Sequence, residues 1–121
     1  MAQQAQSTPI DGDFPDVISS EDELASTASL DLFNGTVSVT SIEIEGAGND
    51  EYVKVYDALT VDPSSDVPDI VFPVPANKCR TLTIIGGLSF STGFSIRAVT
   101  GGADTDTTDP SSPKPGFFVG T

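Results

Sequence analysis

From Ser29 onward the chain sets apolar and polar residues in strict alternation, in short runs cut by Pro, Gly, Asn and Asp. A period of two is the signature of strands with one buried face. SLDLF and TVSVT flank Asn34-Gly35, a pair that tolerates the positive φ angles of a hairpin turn, so a hairpin is expected there. Val37 and Val39 share one parity while Ile42 and Ile44 take the other. One strand can keep all four inward only with a bulge near Thr40 and Ser41. EYVKVYD puts Val53 and Val55 on one face and Tyr52, Lys54 and Tyr56 on the other. DIVFPVP aligns Ile70, Phe72 and Val74, and its Pro73 lacks a ladder donor, which predicts an edge strand. RTLTII, LSFST and FSIRAVT follow, separated by Gly86-Gly87 and by Gly93. A long GGADTDTTDPSSPKPG loop leads to FFVGT, where Phe117 and Phe118 cannot both point inward. About eight short strands and no convincing helix predict an all-β domain over 29–121, an antiparallel β-sandwich or jelly-roll-like barrel.

Residues 1–28 break the pattern. They are polar, with Phe14, Val17 and Ile18 as the one apolar cluster between prolines and acids. This stretch reads as an N-terminal extended arm that orders on a neighbour, with those three residues as its anchors. Ser19 or Ser20 ahead of Glu21, Asp22 and Glu23 would cap a helix of one or two turns. A first strand through 16–18, tucked into the domain, is the competing reading.

Charge sharpens the picture. The chain has 121 residues and a formal net charge of −13, and no Lys or Arg precedes Lys54. Phosphate recognition needs a cationic face, so nucleic acid and anionic membrane are disfavoured as partners. A basic protein surface suits the acidic half, although solubility alone also accounts for it. The apolar runs are too short for a membrane helix, and the N-terminus lacks the basic and apolar regions of a signal peptide. Cys79 is the single cysteine; it fits a reducing cytoplasm and is expected as a half-buried small side chain.

Reactive chemistry is sparse. With no His, the common nucleophile–base pairs cannot form, and no carboxylate pair stands out for glycoside hydrolysis. The expectation is a protein that is not an enzyme and needs no cofactor. Asp104, Asp106 and Asp109 are the candidate cation ligands, though the helix-loop-helix calcium pattern is missing and Asp and Thr also form ordinary turns. Tyr52 and Tyr56 could stack on a sugar, as in carbohydrate-binding β-sandwich modules. Packing against a neighbouring subunit explains the same face and is preferred.

The pieces VKVYDA, DVPDIVFPVPA, GGLSFSTGFSIRAV and TGGADTDTT, together about half the chain, resemble a group of small β-rich virion proteins from tailed bacteriophages. The matching stretches are 52–58, 68–75, 87–93 and 100–108, and the FSTG corner with the Asp-Thr loop is the most specific part. Gly93 is expected to take backbone angles closed to other residues, with Ser91 and Thr92 bonding backbone groups nearby. The resemblance implies a structural role and brings no catalytic residues. It leads to the expectation of a capsid decoration (cement) protein in the virion, assembled in the host cytoplasm. A tail, neck or fibre component is the alternative. The expected partners are the major capsid protein and further copies of the chain, as dimer or trimer, with Tyr52, Tyr56, Phe117 and Phe118 joining the arm residues at interfaces.

Overall fold

The alternating segments become seven strands: β1 (Val17–Leu24), β2 (Val37–Glu45), β3 (Glu51–Asp57), β4 (Ile70–Val74), β5 (Cys79–Phe90), β6 (Phe94–Val99) and β7 (Lys114–Gly120). They belong to a computed structural model that describes residues 17–46, 48–110 and 114–121. All ladders are antiparallel. One sheet has the order β1-β7-β2-β5 and the other β4-β3-β6, which makes a β-sandwich. No helix among the described residues is long and apolar enough to cross a membrane.

The parity problem in β2 is solved by the expected bulge. Val37, Val39, Ile42 and Ile44 are all buried, and the register shifts between Val39 and Ser41 against both neighbours. On the β5 side the offset is larger. Val39 pairs with Leu88 and Ser41 with Thr83, so Ile84, Ile85, Gly86 and Gly87 together face Thr40. Gly86 and Gly87 have φ of 82° and 79°, angles glycine adopts without penalty. The two glycines therefore bend a single long strand where the sequence suggests two.

Inner-face residues of both sheets form one core. Phe94 stands at its centre, with ring centroids 5.4, 5.1 and 5.2 Å from Phe33, Phe90 and Phe118. The pairs with Phe33 and Phe90 are edge-to-face, a geometry that adds about 0.5–1.5 kcal/mol each beyond area burial. Pro73 lies on β4 at a sheet edge, as its missing donor requires.

Three expectations are corrected. The 28/29 boundary between arm and domain does not hold, because Val17–Leu24 is β1, paired with β7 from Val17↔Gly120 to Leu24↔Lys114. The capped helix is absent for a related reason. Glu21 turns inward, where its carboxylate accepts bonds from the Ser29 hydroxyl (2.8 Å) and the Glu23 amide (3.0 Å). A one-turn helix would bury nothing, whereas a strand gains a ladder. Phe14 lies outside the described residues.

The Asn34-Gly35 hairpin also fails to form. Asn34 has φ of 54°, and the Gly35 amide donates to the Asp31 side chain, so the turn itself is real. The chain before it, however, crosses to the other sheet. Ser29 and Ile96 exchange backbone bonds, and Leu32 donates to Phe94. Residues 25–32 thereby cover the outer edge of β6 instead of pairing with β2, since Leu32 and Phe33 find the core there.

Candidate functional site

The outer face of the three-stranded sheet is closed by the chain's own loop. Lys54 on β3 and Arg97 on β6 are cross-strand neighbours and both are fully buried. The Lys54 ammonium donates to the Ala103 carbonyl, and Arg97 donates to the carbonyls of Asp106 (2.6 Å) and Asp104 (2.8 Å). Arg97 Nε also donates to the Tyr56 hydroxyl at 2.9 Å, with the guanidinium 5.9 Å from that ring's centroid. Burial pushes the Lys54 amine below its ordinary value, Arg97 adds to the effect, and Asp106 and Asp104 oppose it. Two buried cations thus latch residues 100–109 across the sheet by their carbonyls, an arrangement the alternation pattern did not reveal.

This latch accounts for several candidate residues. Tyr56 is buried, so its ring is not offered as a platform for a sugar, while Tyr52 is half-buried and lies against Gly102. The three loop aspartates do not converge. Asp106 accepts from the Thr108 amide at 2.8 Å, and Asp109 accepts from the Ser26 amide at 2.9 Å. The Ser26 hydroxyl and amide hold the Asp109 carboxyl below its ordinary value. Among the described residues no group of three His, Cys, Asp or Glu side chains is placed to hold a metal ion.

The FSTG corner is held by a residue that sequence reasoning passed over. The Asp57 carboxylate, at the end of β3, accepts from the amides of Ser91 (3.2 Å), Thr92 (2.8 Å) and Gly93 (3.2 Å) and from the Ser91 hydroxyl (3.2 Å). Desolvation raises its pKa, but these donors outweigh that and leave it below the ordinary value. Gly93 does not have positive φ. Its side-chain position is filled instead, since a Cβ there would meet Leu59 at 2.9 Å, Asp31 at 3.0 Å and the Ala58 carbonyl at 3.1 Å. The signal was present in Asp57, an acid directly after the alternating strand.

The four-stranded sheet keeps an open outer face. Phe118 is buried in the core while Phe117, beside it on β7, is 47% exposed. Phe117 lies between Ser20 on β1 and Glu43 on β2. Around it runs a groove of about 340 Å³ lined by Asp22, Glu43, Glu45, Pro115 and Gly116. Ile18 of β1 is half-buried and Val17 packs against the core. Cys79 is exposed, contrary to expectation, because β5 is an edge strand; its Sγ approaches Glu43 at 3.9 Å.

No family model matches this chain, and neither a curated protein nor a solved structure matches it.

Proposed function

We propose that this chain is a non-enzymatic virion protein of a tailed bacteriophage, a capsid decoration protein that docks on the outer shell through its four-stranded sheet. One observation carries the reading: an exposed Phe117 set in a groove lined by carboxylates. Burying the exposed half of that ring supplies roughly 1 kcal/mol, and the surrounding charge selects a basic protein surface and speeds encounter. The phage-like motifs agree with a scaffold role, since Asp57, Lys54 and Arg97 all serve to pin loops. Low affinity per copy is adequate on a shell, where many equivalent sites act together.

The test is addition of the purified full chain to phage shells that lack it, read by co-sedimentation. Phe117→Asp and the pair Glu43→Lys with Glu45→Lys should each reduce shell binding at least tenfold while leaving the melting temperature close to that of the parent. Undiminished binding by both variants would reject the open face as the docking surface. Binding to tails with none to shells would move the protein to the tail.

A further inference from the structure

The two edges of the four-stranded sheet differ in charge and stand at the same height. Four rows cross the whole sheet: Ile18–Val119–Ser41–Thr83, Ser19–Phe118–Ile42–Leu82, Ser20–Phe117–Glu43–Thr81 and Glu21–Gly116–Ile44–Arg80. The β1 edge presents the exposed Asp22 and Glu23, while Glu21 beside them is turned inward. The β5 edge belongs to the stretch between Asp69 and Asp104, which contains no acid and includes Lys78 and Arg80. Among the described residues no strand pairs with the outer side of β1 or of β5.

We propose that the β5 edge docks the β1 edge of a second copy of this chain, continuing the sheet head to tail. Strand direction permits it. Every neighbour in the sheet is antiparallel, so β1 and β5 run in opposite senses, and a sideways step brings them together as another antiparallel pair. Face parity permits it as well. Ser20 and Thr81 lie in one row and on one face, so the step leaves the inner and outer faces continuous between copies. The same step brings Arg80, and Lys78 just before the start of β5, to the same end of the sheet as the neighbour's exposed Asp22 and Glu23.

Charge decides between this contact and the symmetric alternatives. A β1–β1 contact would oppose acids to acids in a chain of net charge −13, and a β5–β5 contact would leave the cations without counter-charges. The bulge at residues 84–87 ends the regular β5 ladder at Thr83, which confines pairing to a short stretch. Such a contact is small beside standard interfaces, so it is weak in solution and gains strength where copies are held side by side. A head-to-tail contact closes into a ring when its rotation allows and otherwise propagates. The inference stands whether or not the open face binds a capsid.

The test is disulfide trapping in the full chain. In one copy Ser20 and Thr81 are three strands apart, about 14 Å, too far for a bond within one molecule. The variant Cys79→Ala, Ser20→Cys, Thr81→Cys should therefore give rings or a ladder of linked copies on mild oxidation. The two variants with a single cysteine (Ser20→Cys or Thr81→Cys, each with Cys79→Ala) should stay largely unlinked. A folded triple variant that remains monomeric overturns the proposal, as does efficient dimerisation of either single-cysteine variant, which would mean a two-fold contact. Independently, Arg80→Glu in the native chain should lower the self-association constant roughly threefold to tenfold by sedimentation velocity. An unchanged constant would also count against it.

Discussion

Four donors converge on the Asp57 carboxylate, and removing that acceptor would strand them together. Asp57→Ala should destabilise the domain by about 1–2 kcal/mol, a figure reduced for solvent access at the corner, and Asp57→Asn by less. The pH dependence follows from the depressed pKa. The carboxylate's contribution is complete above the ordinary value of 3.8 and is lost as pH falls through the lower folded value. Denaturant titrations should therefore show parent and Asp57→Asn converging in acid and differing near neutrality; a gap independent of pH would reject this role. Arg97 is the more demanding residue, because it is buried and satisfies two loop carbonyls and a tyrosine hydroxyl. Arg97→Met should cost about 3 kcal/mol or more and should make residues 100–109 the first site of limited proteolysis. Cleavage elsewhere, with residues 100–109 as protected as in the parent, would contradict the latch.

At the scale of elements, local alternation was legible and long-range pairing was not. The bulge in β2 could be read because four aliphatic residues on mixed parity leave one solution. The edge position of β4 could be read because Pro73 cannot donate. By contrast, β1 looked like an arm, since Ser19 and Glu21 are polar residues that face inward and bond to Leu32 and Ser29 of the crossing segment. Asn34-Gly35 predicted its turn but not its partners, because a turn signal says nothing about which sheet the incoming chain joins. The same reasoning changes what a truncation should do. Deleting residues 1–28 removes β1 and the buried Leu24, so the product should lose cooperative unfolding. A sharp thermal transition in that truncation would restore the arm. Gly93→Ala should cost about 1–3 kcal/mol by overpacking against Leu59, Asp31 and Ala58. A melting temperature equal to the parent's would show that the corner can yield.

Across the whole molecule, the distribution of charge matters more than its total. Two of the chain's five cations are buried in the latch, whereas carboxylates line the groove around Phe117. Composition exposed the acidic excess, but only the fold shows which face presents it. The candidate interface residues separate accordingly: Phe117 is presented, Phe118 and Tyr56 are core, and Tyr52 supports the loop. Binding through this face should weaken steeply as salt rises. The most direct test is an electron cryomicroscopy reconstruction of purified particles from the phage that encodes this chain. The account predicts its density on the outer shell, with the β1-β7-β2-β5 sheet and Phe117 turned toward the capsid. Density confined to the tail, absence from the particle, or that sheet facing solvent would contradict it.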